Sequence, residues 1–480
     1  MIRPERTGET PLASDSEPVR FVPMDRSLWA VLLGTFTLRF STGLTGAMLG
    51  FYLATLPEHG GPVVDPIVVG VFSATFYLAE LVLSPLFGVL SDRQGHHRVM
   101  LYGPVFGAVA VILTGLTADV SLPGALAVVL APITGSLFVL GITRWLEGAS
   151  TAASVPSILG YIALATAGDV SLRGKAAARF EGATLLGLGV GFVVAPKLFE
   201  AIGPSAFFLN AFVYGASFLI YLGVKDPPRA GAAGGAPVAG AGDAAVGAAR
   251  SGLDRYLTLL RSSHIWLLAP TWIAVNASIG LWFSQGIFQF AKADPRFPDQ
   301  TLLRGFSATQ ITIAALVVGV LFGAGLLYWG NRFRSFRRTT IILYGIVGGA
   351  ALVAAGFVVN HSTGLPTIIT LGAGLIAALG LFVLAGATPA ALGLLADVSE
   401  RFPSDRGAIM GLYSVFLALG QIAGALIGGV AADLRGVDGM LAGTMGLLLV
   451  ALIPLAQLRR DEHYLGGTDT PAILDGEIGA

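Results

Sequence analysis

Long, nearly uninterrupted runs of apolar residues constrain this chain more than any other feature. Residues 28–56 form one such run, and residues 341–359, "IILYGIVGGAALVAAGFVV", form another. A run of about 18 apolar residues is long enough to cross the hydrocarbon core of a bilayer as a helix, and a helix satisfies its backbone hydrogen bonds internally. Only 12% of the residues are charged and 54% are apolar, too few charges to cover a soluble protein of this size. The sequence therefore predicts an all-α, multi-pass membrane protein.

The apolar runs divide into twelve predicted spans. Their approximate bounds are 27–56, 66–90, 98–118, 132–164, 180–200, 204–224, 263–291, 307–329, 339–360, 366–396, 407–433 and 437–457. Residues 119–131 are apolar but contain Pro123, so they either extend the third span or form a short re-entrant or interfacial piece.

The chain between and around the spans suggests two domains. Residues 1–26 are polar and predict a disordered cytoplasmic tail, and residues 225–262 predict a flexible Ala/Gly-rich cytoplasmic linker. Two six-helix bundles result, over 27–224 and 263–457, and residues 458–480 form a second cytoplasmic tail.

The positions of lysine and arginine predict the orientation. If both termini lie in the cytoplasm, 22 of the 29 basic residues fall on the cytoplasmic side and four on the outer side. Cytoplasmic loops of membrane proteins carry the excess of basic residues. The sequence thus favours cytoplasmic N- and C-termini, which requires an even number of spans.

An internal repeat relates the two halves. When the chain is shifted by 233 residues without gaps, Pro156 falls on Pro389 and the pair Arg173-Gly174 falls on Arg406-Gly407. The same register also aligns Gly187 with Gly420 and Gly191 with Gly424 along spans five and eleven, and Gly203 with Gly436 just after these spans. Lipid-helix composition alone would align Ala and Leu more readily than these residues. Parallel half-repeats of this kind occur in secondary transporters.

One charged segment interrupts this apolar setting. The loop between spans two and three contains "GVLSDRQGHHR", in which Gly88, Asp92, Arg93, Gly95 and Arg98 stand at fixed positions. It resembles the signature loop of the major facilitator superfamily (MFS). Residues 144–153, "RWLEGASTAA", are similar to the motif that the same superfamily carries in its fourth span.

The resemblance implies a twelve-helix MFS fold in which two pseudo-symmetric bundles rock about a central site. It also implies that Asp92 latches the halves together on the cytoplasmic side by facing the start of span eleven near Arg406-Gly407, with Arg93 orienting it. Gly88 and Gly95 would allow close packing and a sharp turn. The chain departs from the family pattern at His96 and His97, where basic residues are usual, and at "APK" (195–197), where the antiporter motif expects Gly-Pro.

Four ionisable residues lie inside predicted spans of the first half: Arg39, Glu80, Arg144 and Glu147. Such residues are costly in a membrane and face a partner or a cavity. Counted at about 1.5 Å per residue, Arg39 and Glu80 lie at similar depths and could meet, while Arg144 and Glu147 are three residues apart on one helix face. Two interpretations remain open. Glu80 or Glu147 binds and releases a proton, or the four residues form a permanent structural network.

The spans of the second half have no charge at mid-membrane. They offer amides and aromatics instead, and the candidates for lining a substrate cavity are Asn276, Trp282, Gln285, Gln289 and Gln421. A cavity of this kind suits a lipophilic or weakly polar molecule, but the same residues also serve as ordinary helix–helix contacts.

Several classes of function find no support in the sequence. There is no cysteine, which excludes disulfides and thiol chemistry, and no P-loop pattern, which argues against an ATP-driven pump. No metal-ligand spacing and no basic, aromatic surface for nucleic acid occur. We expect no cofactor, no enzymatic activity and a monomer whose partners are lipid, protons and a small-molecule substrate.

The sequence thus predicts a secondary transporter working by alternating access, with proton-coupled export of a lipophilic molecule as the first choice. A proton symporter or a facilitator for a small metabolite is the alternative within that class. A non-transporting membrane receptor or scaffold on the same fold is the alternative outside it. Ala/Gly/Arg-rich usage and short loops favour a bacterial inner membrane.

Overall fold

The computed structural model describes residues 26–118, 133–166, 170–225, 265–332, 335–401 and 406–461. Over these ranges the chain is helical, with short 3₁₀ turns and a single isolated β-bridge between Ala293 and Arg304. The α-helices are α1 Arg26–Ala54, α2 Pro66–Gln94, α3 His96–Met100, α4 Tyr102–Leu116, α5 Leu137–Ala165, α6 Val170–Ile202, α7 Ser205–Leu222, α8 Ala269–Ala291, α9 Ala308–Gly330, α10 Arg338–Asn360, α11 Thr367–Leu384, α12 Ala387–Arg401 and α13 Arg406–Arg460. The predicted segment 119–131 and nearly all of the predicted linker lie outside the described residues.

The helices have the dimensions and surface of membrane spans. Within the described ranges, nine helical segments are long and apolar enough to cross a bilayer by length and composition. One of them, Ser414–Arg460, is 47 residues long, and it contains the break at Arg435 and Gly436 where the backbone leaves helical geometry. Large apolar side chains such as Phe212, Leu327 and Ile368 are more than 70% exposed, which suits contact with lipid. The α-helical fold and its apolar surface are consistent with the twelve predicted spans.

Three boundaries differ from the sequence prediction. Helix α6 begins at Val170 rather than near residue 180, and predicted span ten is divided between α11 and α12. The division falls at Ala385 and Gly386, where a side chain on Gly386 would collide with the indole of Trp329. Predicted span three consists of the short helix α3 followed by α4.

The predicted repeat reappears in the packing of the two halves. In the first half, Gly187 and Gly191 of α6 lie so close to α1 that a methyl group would collide with the carbonyl oxygens of Phe36 and Phe40. In the second half, their counterparts Gly420 and Gly424 of α13 press in the same way on the backbone of α8. Because glycine has no side chain, each pair of helix backbones can approach closely.

The halves touch each other at one end of the bundle. We name this the Pro66 end, after the residue that begins α2, and we name the opposite end, where α2 meets α3, the Gly95 end. At the Pro66 end, Gly70 of α2 faces Ala425 and Gly429 of α13 with no room for a side chain between the backbones. Further inside, the rings of Phe192 and Phe283 stack edge to face across the halves, with centroids 6.0 Å apart.

Candidate functional site

The centre of the first half contains a buried ion pair. Arg144 and Glu147, one helical turn apart on α5, are in direct contact through Nη2 and Oε2, and their side chains are 7% and 2% exposed. The predicted pairing of these residues is thus present. Arg144 Nε and Glu147 Oε1 have no hydrogen-bond partner among the described residues. The pair therefore has one donor and one acceptor that could still form hydrogen bonds with a ligand or a water.

Arg39 on α1 belongs to the same buried region. Its side chain is buried, and Nη1 donates to the hydroxyl of Thr151 on α5 at 3.5 Å. The Arg39 charge also interacts electrostatically with Glu80 on α2, as their similar predicted depths suggested. The four ionisable residues found in the sequence therefore occupy one region at the junction of α1, α2 and α5.

The structure adds three residues to this region. The hydroxyls of Tyr77 on α2 and Tyr214 on α7 interact electrostatically with both Arg39 and Arg144. Glu181 on α6 interacts with Arg39. Glu181 is not evident from the sequence as an intramembrane residue, because it stands at the very start of predicted span five (180–200). The helix begins at Val170, which places Glu181 three turns inside it.

We call these residues the charge cluster: Arg39, Tyr77, Glu80, Arg144, Glu147, Glu181 and Tyr214. Five helices of the first half contribute to it. It holds three carboxylates and two guanidinium groups, so one carboxylate lacks a cationic partner of its own. Glu147 is buried and Glu80 is partly buried, so a proton on one of the carboxylates would balance the charge and lower the cost of holding an unpartnered carboxylate away from water.

The signature loop lies at the Gly95 end. Gly95 has a φ of 101° and links α2 to α3, so the predicted sharp turn is present and needs a residue that tolerates this backbone. Gly88, in contrast, has ordinary space around it, since an added methyl group would meet only Pro156 at 3.8 Å.

The charged residues of the loop face outward. Asp92, Arg93 and Arg98 are exposed, and the Asp92 carboxylate lies 3.9 Å from His96 Nε2. The side chains of Arg406 and its neighbours at the start of α13 lie outside the described residues. The predicted latch between Asp92 and that helix therefore stays a prediction.

Both histidines of the loop are anchored on the first half. His96 Nδ1 lies 3.2 Å from the Ser91 hydroxyl, and its ring covers Gly160 on α5. His97 Nε2 lies 2.8 Å from the carbonyl oxygen of Tyr221 at the end of α7. These contacts explain why the loop tolerates imidazoles where the family usually has longer basic side chains.

Three of the predicted cavity residues in the second half donate hydrogen bonds to other residues of the bundle. Gln285 Nε2 donates to the carbonyl oxygen of Pro66 at 2.9 Å and so joins the two halves at the Pro66 end. Trp282 Nε1 donates to the hydroxyl of Thr444 at 2.9 Å within the second half. Asn276 donates to Trp272 one turn earlier on α8.

The remaining cavity candidates have unsatisfied amides. Gln289 Nε2 and Gln421 Oε1 are buried and have no hydrogen-bond partner among the described residues. The Gln421 amide lies over Gly280, where an added methyl group would be 2.7 Å from Oε1. Gln285 Oε1 is likewise buried without a hydrogen-bond partner among the described residues, and a buried unpaired amide atom costs about 1–3 kcal/mol.

A charged loop covers the Pro66 end. Arg296 pairs with Asp294 at 2.8 Å. It also pairs at 3.4 Å with Asp433, which lies on α13 just before the break at Arg435 and Gly436. Partial burial by itself would raise the pKa of Asp294, but hydrogen bonds from Arg296 and the charges of Arg296 and Lys292 outweigh it and lower that pKa. Lys292 Nζ also donates to Val64 in the first half at 3.4 Å.

Within the part of the chain that the structure describes, no three His, Asp or Glu side chains are grouped so that they could hold a metal ion. The charge cluster is the main group of buried and partly buried ionisable side chains among these residues. Its acids and bases can exchange protons or bind a polar ligand.

Comparison with known proteins agrees with this architecture. The model of the Major Facilitator Superfamily matches residues 31–294, which is more than half of the chain. The chain belongs to the Major Facilitator Superfamily. It is accordingly a membrane transporter of the secondary type, and its two helical halves are the pseudo-symmetric bundles of that fold.

Relatives of this MFS transporter include a protein of Bacillus subtilis (strain 168). It is named Multidrug resistance protein 1 and is 24% identical over 373 residues, which cover 76% of this chain and 81% of the relative. Similar solved structures include the nucleoside transporter NupG, with a TM-score of 0.62 and 13% identity over 91% of this chain and 99% of that one. A peptide transporter, POT, in complex with sulfate has a TM-score of 0.64 and 17% identity over 92% of this chain and 96% of that one. A D-xylose-proton symporter has a TM-score of 0.59 and 15% identity over 89% and 96% of the two chains.

Proposed function

We propose that this MFS transporter exports a small lipophilic or weakly polar molecule by alternating access, in exchange for protons. The charge cluster carries the proposal, because it holds one more carboxylate than guanidinium groups. Glu80 or Glu147 binds the proton, and the neighbouring arginines tune how readily it does so. The uncharged second half, with Gln289 and Gln421 unsatisfied, supplies a largely apolar wall for the substrate.

The names of two similar proteins support parts of this proposal. A relative is named for multidrug resistance, which fits export of lipophilic molecules, and a structural neighbour is a proton symporter, which fits coupling to protons. The second name also favours the alternative, a proton symporter or facilitator for a small metabolite. The two differ in the direction of net movement when the same proton gradient is applied.

We further propose that the protein acts as a monomer in a bacterial inner membrane with both termini in the cytoplasm. The distribution of lysine and arginine supports this orientation, and the Bacillus relative supports a bacterial setting. The Gly95 end then faces the cytoplasm and the Pro66 end faces outward. In that orientation Asp92 would latch the halves on the cytoplasmic side in the conformation in which the halves meet at the Gly95 end and separate at the Pro66 end.

The test begins with a substrate. Purified protein is screened by thermal shift against lipophilic cations, lipophilic neutral compounds and small metabolites at pH 5.5 and pH 7.5. A compound that raises the melting temperature is then used for transport in proteoliposomes. Absence of saturable flux for every stabilising compound would favour a receptor or scaffold on the same fold.

Glu80→Gln and Glu147→Gln then test the coupling. If either carboxyl carries the proton, its glutamine variant loses at least about tenfold in gradient-driven flux while exchange without a gradient persists, because exchange needs no net proton movement. Glu200→Gln is the matched control, since Glu200 is 47% exposed and paired with Lys197 far from the cluster. Driven flux at the wild-type rate in both cluster variants would make the network purely structural.

A further inference from the structure

Glu181 stands apart from the other carboxylates of the charge cluster by its exposure. Glu147 is buried and Glu80 is partly buried, whereas Glu181 is exposed although it lies three turns inside α6. Its position on the helix explains this. Eleven residues separate Glu181 from Phe192, and at about 100° per residue they differ by only about 20° around the helix axis.

Phe192 shows where this helix face points. Its ring stacks on Phe283 of the second half, so the Glu181 face of α6 is turned towards the other half of the molecule. Glu181 lies about 16 Å from Phe192 along the axis, in the direction of the Gly95 end. The exposed carboxylate thus sits in the wall between the halves, on the side away from their contacts at the Pro66 end.

The same stretch of α6 also lies against Arg39. A methyl group on Gly187 would be 2.9 Å from Arg39 Cβ, so α6 packs directly against the Cβ atom of this arginine. Thr184, between Gly187 and Glu181, has a buried hydroxyl with no hydrogen-bond partner among the described residues. This hydroxyl, on the stretch of α6 between Glu181 and the contact with Arg39, can form a hydrogen bond with a water or a moved side chain.

We propose that Glu181 is the proton-exchanging carboxylate on the Gly95 side, and that it shares Arg39 with Glu80. Arg39 can neutralise one of the two carboxylates fully. When a proton binds a carboxylate oxygen of Glu80, that group becomes neutral and Arg39 pairs with Glu181; when Glu181 takes the proton, Arg39 returns to Glu80. The inference deepens the proposed function and rests on it, since it names the group through which protons would enter or leave the cluster.

The other charged groups of the cluster are consistent with this sharing. Glu80 and Tyr77 lie on α2, Arg144 and Glu147 on α5, and Tyr214 on α7, and Arg39 is the group that interacts with both Glu80 and Glu181. Arg179 and Lys175 lie on α6 itself, and Arg179 stacks on Trp29. Helix α9, which packs on α6 from the second half, contains no charged residue over Ala308–Gly330. Arg39 is therefore the cation whose charge Glu181 and Glu80 have in common.

Infrared difference spectroscopy tests the proposal without a substrate. The full chain in lipid nanodiscs is compared between pH 8 and pH 5, and the carbonyl stretch of protonated carboxyl groups is measured. Glu181→Gln should remove a distinct part of this band, while Glu200→Gln on the same helix should leave it unchanged. In Glu80→Gln, Arg39 is left to Glu181 alone, so the remaining band should shift to lower pH.

The outcomes separate this inference from the proposed function. A wild-type band that Glu80→Gln or Glu147→Gln alters but Glu181→Gln does not would overturn the role of Glu181 and leave proton coupling standing. A band that none of the three variants alters would overturn both. Glu181→Asp keeps the carboxyl and should restore most of the band, which shows that loss in Glu181→Gln is not due to misfolding.

Discussion

At the scale of single residues, the buried pair of Arg144 and Glu147 can either stabilise the fold or take part in proton transport. Removing one partner of a buried ion pair leaves an uncompensated charge, which costs about 3–5 kcal/mol, whereas replacing both partners by apolar residues is often neutral. A structural role of the pair is therefore measured by the free energy of unfolding of its variants, and a role as proton carrier is measured by their gradient-driven flux.

Glu147→Ala should lower the free energy of unfolding by about 3 kcal/mol or more, because Arg144 keeps its charge in a buried position. The double variant Arg144→Met, Glu147→Leu should recover most of that loss. Unfolding in detergent micelles, followed by tryptophan fluorescence in denaturant, measures both. Equal destabilisation of the single and double variants would mean that the pair's packing, and not its charge, stabilises the bundle.

Asp294 and Arg296 show the same physics at the surface, with a smaller energy. Because the folded-state pKa of Asp294 is lowered, its ion pair adds stability above about pH 4 that is lost as the pH falls through the folded-state value. Arg296 is 50% exposed, so we expect less than about 1 kcal/mol.

A spin label at Pro298→Cys reports on this loop, and the absence of native cysteine makes the label unique. The label should become mobile between pH 5 and pH 3, whereas in an Asp294→Asn background it should be mobile throughout that range. A label that is equally immobile in both proteins at every pH would show that other contacts hold the loop.

At the scale of elements, glycine decides how closely the two halves approach. A methyl group on Gly429 would lie 2.9 Å from the carbonyl oxygen of Pro66, and one on Gly70 would lie 3.2 Å from Gly429 Cα. These neighbours are backbone atoms of α2 and α13, which cannot move aside without separating the helices. Closure of the Pro66 end therefore requires residues without a side chain at positions 70 and 429.

Gly70→Ala and Gly429→Ala should each shift the transporter towards conformations that are open at the Pro66 end. Spin labels at Val63→Cys and Leu434→Cys, both exposed, measure the distance between the halves by electron paramagnetic resonance. We expect a longer distance to become populated in both variants. Gly319→Ala is the control because its surroundings are open, and an unchanged distance in the Gly70 and Gly429 variants would mean that the contact is not the gate.

At the scale of the whole molecule, the repeat divides the contacts into those within each half and those between the halves. The contacts of Gly187 and Gly191 with α1 recur at Gly420 and Gly424 with α8, so each half has its own tightly packed pair of helices. The halves meet through a separate set of contacts at the Pro66 end, between α2 and α13, and bodies that are packed internally in this way can move relative to each other.

Cysteine labelling in intact cells tests the orientation. A membrane-impermeant maleimide should modify Val63→Cys from outside, and it should modify Gln94→Cys only after the membrane is permeabilised. Both positions are exposed, so accessibility depends on the side of the membrane. The reverse pattern would place the termini outside the cell and contradict the distribution of basic residues.

Much of the architecture could be predicted from the sequence because the bilayer imposes it. Apolar runs of span length must become helices in lipid, and the spacing of Arg144 and Glu147 already puts them on one face. The glycines at a 233-residue offset likewise marked the helix pairs that pack closely, since glycine serves the same purpose in both halves.

Other features depend on contacts between segments distant in the chain, and only the tertiary structure decided them. Glu181 interacts with Arg39, Gln285 donates to the carbonyl oxygen of Pro66, and Tyr77 and Tyr214 interact with both arginines. No local spacing encodes these neighbours, because they come from helices brought together by the packing of the whole bundle. The sequence by itself thus determined that the chain spans the membrane as two related helical halves, and the packing of those halves determined which polar groups meet between the helices.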